Sequence, residues 1–461
     1  VNSTVFRFAV LGDIHYFHPR YHTRALARAA GDANLAAYLA SCVHVTTHVL
    51  PLALDEVRAA APDLVVQAGD LLHGDADGCA AARAEAQEAV DLLTGLHMPV
   101  LFCRGNHDGL PGSEAARAYE AAVRPFLSRQ LGIMPPGMYY AAEAANCRLL
   151  VLDYLDIQPG SAQDRWLGDE LARSDAPQHT FLVAHAPLVP VARPFFSRLE
   201  FVHSVTARLC TAPSVDAFFC GHTHNTAATT HLLGSTPLLQ LKTCVFGYPE
   251  QDPLPLTLAR ALVPPAGQVR LHFGFLEDSA PGWLLVEVDG QRVVVRWRLL
   301  GRGEQAVLAW EQASEARLLR APDVAQLTAR LRRAADLSSA RGARLHVSGY
   351  GVPAGAAGVR VNGYAIGRLP SLQAFVPRQF LELSPQALAS LDTENFVEID
   401  YPGPDACIGG LSLEVLHCDG TSARSTVDPA LYVTSTRWDA WNVPSLRHLM
   451  PGEPVRAVLR F

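Results

Sequence analysis

Lysine is nearly absent: Lys242 is the only one, and arginine supplies the rest of the 38 basic residues. Against 45 acidic residues this leaves a formal net charge of −7, so bulk electrostatic capture of nucleic acid is not favoured. Arginine suits bidentate phosphate contacts, but a bias this uniform reflects composition rather than a particular site. The nine cysteines are odd in number, scattered and without a CxxC pair, which argues against a disulfide framework and against a thiolate zinc site. The spacing leaves one pairing open, Cys407 with Cys418 across a hairpin. No run of about 18 apolar residues is free of charge and turn signals, so no membrane-spanning helix is expected. Internal repeats and long low-complexity tracts are lacking too. The chain opens VNSTVFRFAVLGD, entering a core strand almost at once. No signal peptide is visible, and the expected location is cytoplasmic, or exported if a leader was removed before Val1.

Hydrophobic residues make up 49% of the chain and charged residues 18%, which fits a folded globular protein. A length of 461 residues exceeds one ordinary core and predicts two domains. Buried strands are expected at 5–11, 64–69, 99–105, 147–153, 179–185, 215–222 and 236–243, with helical stretches near 24–61 and 79–96. That alternation points to an α/β layered domain. GWLLVEVDGQRVVVRWRLL, near 282–300, reads as a hairpin around Asp289-Gly290 that closes the first domain. Residues 301–342 are expected to form a connector with one helix, opened by Pro322 and Asp323 and carrying Val324, Leu327 and Leu331 on one face. From 343 to 461 short strands alternate with Gly/Pro turns, predicting an all-β sandwich.

The polar residues at the ends of the apolar strands carry the chemistry. The first strand ends in Gly12-Asp13-Ile14-His15 and the second in Gly69-Asp70. The third ends in Gly105-Asn106-His107-Asp108, the fifth in His185, and the sixth in Gly221-His222-Thr223-His224. Ligands of open α/β sheets bind beyond the carboxyl ends of the strands, so these groups would meet in one crevice. Carboxylate, amide and imidazole donors without thiolates suit Mn, Fe, Zn or related ions, and there are enough for two, with one carboxylate bridging. Asp13 and His15 are two apart, so both face the site only if the strand has turned or continues extended.

The series GDIH, AGD, GNHD, AHAP, GHTH, each after an apolar strand, resembles the full signature of the calcineurin-like metallophosphoesterases in the family's order, over about residues 5–245. The resemblance implies a four-layer α/β/β/α domain over residues 1–300. It implies that Asp13, His15 and His224 hold one metal, that Asn106, His185 and His222 hold the other, and that Asp70 bridges both. His107 would stay off the metals near the leaving-group oxygen and protonate it. Two cations about 3.5–4 Å apart would orient a phosphate ester and lower the pKa of a bridging water, whose hydroxide attacks phosphorus. The implied activity is phosphoester hydrolysis, leaning to diesters. A phosphomonoesterase, a metal-dependent nuclease and a non-catalytic binding module on the same scaffold are the alternatives.

Arg104, beside the Gly-Asn-His-Asp run, is the nearest candidate for a phosphate contact, though its side chain could equally point behind the strand. Tyr16 and Arg20, in the YFHPRYH stretch, are candidates for a substrate-selecting rim. The sequence departs from one branch at His73 in GDLLHGD, where protein phosphatases keep an aspartate that orients the catalytic histidine. Asp75 or Asp108 could substitute, and His73 itself is a candidate substrate contact. His44 and His48, at i and i+4, read as ordinary helix residues, and His203 and His231 as structural or rim groups. In the C-terminal region, VRVNGYAIGRLP and FLELSPQALASLDTENFVEIDYP resemble galactose-binding-like modules. That likeness implies glycan binding or self-association, with Trp438 and Trp441 as a sugar platform or as packing residues.

Overall fold

The computed structural model describes residues 5–31, 33–189, 197–211, 215–233, 236–246, 269–275, 281–311, 316–320, 337–372, 379–428, 430–435, 441–442 and 446–461. The chain divides into two compact units. One comprises Val1–Val189, Ser197–Asp252 and Pro265–Pro322; the other comprises Pro190–Phe196, Pro253–Pro264 and Asp323–Phe461.

In the first unit the strands are β1 (Phe6–Leu11), β2 (Leu64–Ala68), β3 (Val100–Cys103), β4 (Tyr140–Ala144), β5 (Cys147–Val151), β6 (His179–Val183), β7 (Ser197–Arg198), β8 (Ala217–Cys220), β9 (Thr226–Leu233), β10 (Thr236–Lys242), β11 (Val269–Phe275), β12 (Gly282–Asp289), β13 (Arg292–Leu299), β14 (Gly303–Glu311) and β15 (Arg317–Arg320). Its helices are α1 (Thr23–Ala29), α2 (Ala33–His44), α3 (Leu50–Ala60), α4 (Cys79–Thr94), α5 (Glu114–Leu131), α6 (Ala162–Leu171) and α7 (Leu199–Thr211).

Two seven-stranded mixed sheets result, ordered β15-β14-β13-β12-β1-β2-β3 and β11-β9-β10-β8-β6-β5-β4. They stack through Phe8 of β1, whose ring lies 5.5 Å from that of Phe181 on β6 and 5.6 Å from that of Phe219 on β8. Helices cover both outer faces. On the first sheet, the Trp283 indole donates to Glu56 of α3 at 3.0 Å, and Tyr119 of α5 donates to the Cys103 carbonyl at 2.9 Å. On the second, α7 packs on β9 and ties α6 through Arg208 and Asp164 at 2.6 Å. This is the expected four-layer arrangement. β1, β2 and β3 run parallel in one sheet, as do β5, β6, β8 and β10 in the other, so their carboxyl ends gather at one edge of each sheet.

The structure sharpens three sequence readings. The first sheet does not stop at 300: β14 and β15 extend it, with Ala306, Leu308 and Trp310 buried on one face of β14. The period-2 apolar pattern there supports a strand rather than a connector. The connector helix, with Val324, Leu327 and Leu331, lies outside the described residues. Cys407 and Cys418 do not pair; they stand at opposite ends of the 11-residue strand Cys407–His417, at about 3.3 Å per residue far beyond disulfide reach. Finally, Leu35–Ala60 forms one helix long and apolar enough, by length and composition, to cross a membrane. Pro51 is absorbed by a π-turn at Val45–Val49. Cys42, Val45, Val49, Ala53 and Val57 of that helix are buried, as on the inner face of a packed helix.

Among the described residues the second unit is all-β apart from the 3-10 turn Leu337–Ser339 and the short helix Pro385–Ala389, capped by Ser384. One sheet is built around Ala340–Tyr350 and Cys407–His417; the other contains Gly358–Val361, Tyr364–Arg368, Glu394–Ile399 and Val455–Arg460. Leu345, Val347, Val359, Val361, Val397, Ile399, Leu411, Leu413 and Leu459 form the core between them. Trp438 and the Trp441 side chain lie outside the described residues.

Candidate metal centre

The singled-out polar residues lie just past the carboxyl ends of β1 (Asp13, His15), β2 (Asp70), β3 (Asn106, His107), β6 (His185) and β8 (His222, His224). The loops are laced together: Asp13 N–H donates to the Gly69 carbonyl at 3.1 Å and His15 N–H to the Asp70 carbonyl at 2.9 Å. Across the two sheets, His222 N–H donates to the Asp13 carboxylate at 2.8 Å. Asp13, His15, Asp70, His222 and His224 all have positive φ, between 45° and 70°. For non-glycine residues that conformation costs on the order of 1 kcal/mol or more, and it concentrates where function demands it. It also answers how Asp13 and His15, two apart, serve one cluster: the backbone has left the strand at both.

Three clusters of possible ligand atoms emerge: His15 with His73 and His107, and two sets that contain carboxylates. Asp13, His15, Asp70 and His224 each bring one ligand atom within 4.8 Å of the others, and Asp70, His185 and His222 do the same, so Asp70 is common to both. His15 Nε2 and His224 Nε2 are 3.0 Å apart, with Asp70 Oδ2 3.5 Å from the former and Asp13 Oδ1 3.5 Å from the latter. In the second set His185 Nε2 lies 3.0 Å from Asp70 Oδ2 and 3.2 Å from His222 Nδ1.

The donor chemistry fits a cation. His185 Nδ1–H donates to the Ala68 carbonyl at 3.0 Å, leaving a lone pair on Nε2 that faces a carboxylate oxygen. Such a contact repels unless a positive charge stands between, and an orienting bond on the far nitrogen is how imidazole ligands are prepared. In the protein alone a proton takes that place. Burial pulls His185 down, but the Asp70 and Asp13 carboxylates outweigh it and push it up to about 9. Burial raises Asp70, yet the charge of His185 and the hydrogen bond from it hold the carboxyl well below the usual carboxylate range. Burial pushes Asp13 up to about 7, partly offset by His185. His15 is held well below its usual value by burial and then by His107, so it is neutral and one ring nitrogen offers a lone pair to a cation.

His107 sits beside both sets, its ring 4.6 Å from that of His15. Its backbone N–H donates to Asp70 Oδ1 at 2.8 Å, and its ring Nδ1–H donates to the His73 carbonyl at 2.6 Å. The main chain of residue 73 thus orients the ring and leaves Nε2 to exchange a proton. The His73 side chain turns towards α2, with Nδ1 3.5 Å from the Tyr38 hydroxyl and 3.8 Å from the Cys42 sulfur. Asp108 does not substitute as orienter, because its carboxylate accepts from Leu72 N–H at 2.9 Å and Gly105 N–H at 2.8 Å.

The arginines are placed differently from the sequence reading. Arg104 is buried, bonded to Glu120 at 2.9 Å and to Asp153, so it serves a buried ion-pair cluster and not a phosphate. Arg20 is paired with Glu88 at 2.5 Å, and the Tyr16 phenol also bonds Glu88, so both polar ends are committed to α4 rather than to the Asp70 cluster. His44 and His48 stack on each other at 4.9 Å, His203 is exposed, and His231 is buried against Thr229 at 2.8 Å. Sequence reasoning missed two residues. The Phe246 ring lies 4.7 Å from the His15 ring, tilted by 49°, and Tyr154 donates its phenol O–H to Asn106 Oδ1 at 3.1 Å. Tyr154 follows β5, so the strand-end rule that found the others would have found it.

Residues 6–226 match the family model described as Calcineurin-like phosphoesterase. A glycerophosphodiester phosphodiesterase from Enterobacter lignolyticus is 32% identical over 177 residues, which is 36% of this chain and 58% of that relative's length. Among solved structures, a dimetal phosphatase from Danio rerio aligns over 67% of this chain and 99% of its own, at 16% identity and a TM-score of 0.39. A phosphoesterase from E. coli aligns over 66% and 98%, at 12% identity and a TM-score of 0.28.

Proposed function

Because residues 6–226 match the family model of the calcineurin-like phosphoesterases, we propose that the chain is a metal-dependent hydrolase of phosphate esters that prefers diesters to monoesters. The observation that carries this reading is the pair of donor sets sharing Asp70. Asp13, His15 and His224 would hold one ion, Asn106, His185 and His222 the other, and Asp70 both. Oxygen and imidazole donors suit Mn, Fe or Zn. Bound there, two cations supply charge to the phosphoryl oxygens and activate water. His107, held through Nδ1, presents Nε2 to the departing oxygen as proton donor. Two observations support diesters. The E. lignolyticus relative is named as a phosphodiesterase, and both candidate phosphate-binding arginines, Arg104 and Arg20, are spent on carboxylates. A monoester dianion would therefore lack the guanidinium that usually offsets its second charge.

The test compares kcat/KM for bis(p-nitrophenyl) phosphate and p-nitrophenyl phosphate on the metal-loaded full chain, with Asp70→Asn as control. The diester should turn over faster, and Asp70→Asn should lose both activities. A faster monoester would make the protein a phosphatase, and stoichiometric metal with neither activity would end the hydrolase reading.

A further inference from the structure

We propose that Tyr154 is a positioning residue for one half of this centre: its phenol holds the Asn106 amide with the oxygen presented for ligation, and so sets the metal affinity of the Asn106–His185–His222 set. The inference rests on the metal-centre reading above.

Tyr154 is fully buried. Besides its 3.1 Å bond to Asn106 Oδ1, its ring lies 5.8 Å from the His185 ring and 6.0 Å from the His222 ring, with Phe201 at 5.9 Å. One side chain thus touches all three donors that belong to this set alone. An amide end can present oxygen or NH₂, and a metal accepts only the oxygen. The torsion that exchanges them is broad, so something must fix it. A phenol O–H bonded to Oδ1 does so, and it leaves the second lone pair of that oxygen for the ion.

The buried Arg104–Asp153 pair explains why the two side chains meet. Arg104 precedes Asn106 by two residues at the end of β3, and Asp153 directly precedes Tyr154 after β5. Asp153 also caps its own turn, accepting from Leu155 N–H at 3.1 Å, while its N–H donates to Gln163 at 2.8 Å. The pair pins the end of one sheet to the end of the other, which fixes the distance between amide and phenol.

The experiment is a Mn²⁺ titration of the metal-stripped full chain, with free ion followed by electron paramagnetic resonance. It is run on wild type, Asn106→Ala, Tyr154→Phe and the double variant. Wild type should take up two equivalents, and Asn106→Ala should weaken one. Tyr154→Phe keeps the ring packing and should weaken the same equivalent by about 10–100-fold, with the other equivalent and the melting temperature unchanged. The double variant should be no worse than Asn106→Ala, because the phenol acts through the amide. Asn106→Asp supplies two equivalent oxygens, so it should make affinity insensitive to Tyr154→Phe. Wild-type binding by Tyr154→Phe beside a weakened Asn106→Ala would overturn the inference alone, as would an additive double variant. Wild-type binding by Asn106→Ala would instead remove the metal-centre reading, and this inference with it.

Discussion

Gly105→Ala is the smallest change that should damage the centre. A Cβ there would lie 2.2 Å from Asp70 Oδ1 and 2.3 Å from Asp70 N. Non-bonded heavy atoms rest at about 3.5 Å, so something must move by roughly 1 Å. The Asp70 backbone has little room, since it ends β2 at φ 51° and its carbonyl accepts from His15. The carboxylate has no more, because Oδ1 already accepts from His107 N–H at 2.8 Å and Oδ2 lies 3.0 Å from His185. The displacement therefore falls on the one group common to both donor sets. Misplacing reacting groups by 1 Å costs about 10²-fold in rate, and overpacking of this kind costs about 1–3 kcal/mol. We expect kcat/KM on bis(p-nitrophenyl) phosphate to fall by about two orders of magnitude, with weakened Mn²⁺ uptake and a folded protein by circular dichroism. Gly31→Ala, where the nearest atom is 4.0 Å from the added carbon, should change nothing. Wild-type activity and metal uptake in Gly105→Ala would refute the steric argument and the bridging role of Asp70 together.

His107→Ala should lower kcat by about 10²–10⁴-fold while leaving Mn²⁺ uptake intact, with a smaller loss for aryl than for alkyl leaving groups; equal losses would contradict proton donation. Arg104→Ala should destabilise the protein by about 3–5 kcal/mol, because Asp153 is left buried and unpaired, without raising KM. A raised KM at an unchanged melting temperature would put the guanidinium on the phosphate after all. In the second unit, burial pushes Glu414 up, but the His346 hydrogen bond at 2.8 Å and the Arg424 charge outweigh it, lowering its carboxyl from 4.5 to about 2. A depressed carboxylate contributes stability that is complete above its unfolded value and lost as pH falls through the folded one. The gap between wild type and Glu414→Gln in urea unfolding should thus shrink from about 3 kcal/mol at pH 7 towards zero near pH 2, and a constant gap would refute the pairing.

The candidate metal residues were legible because they stand at the ends of apolar strands, most of them beside a glycine, a pattern local enough to read. Their left-handed backbone was not, since propensity argues against it at Asp13 and His15 and only the cluster imposes it. Arg104 was misread because its partner Asp153 is 49 residues away, and no local rule joins them. Tyr154 was passed over although it follows β5, because the role of its hydroxyl shows only opposite Asn106. α5 went unread because Pro125 interrupts its pattern, whereas Ser113 capping the Ala116 N–H and the left-handed Gly132 hold its ends. The strands after residue 300 were hidden by their glycine turns, which resemble a linker until β13 supplies the pairing edge.

Residue 73 brings these points together. A histidine where a carboxylate was wanted looked like a gap in the proton-transfer machinery. The gap closes because orientation needs an acceptor, not an acid, and the peptide carbonyl of residue 73 is one. Gly74, at φ 80°, makes the tight turn that aims it: a Cβ there would stand 2.8 Å from the His107 carbonyl oxygen. The His73 imidazole packs among Phe17, Tyr38, His107 and His22, with ring separations of 5.2, 5.4, 5.6 and 6.0 Å. A carbonyl fixes the same tautomer a carboxylate would, but it brings no net charge and does not titrate. The orientation of His107 is therefore a property of the loop backbone, and it is preserved across side-chain changes at 73 that leave the turn at Gly74 intact.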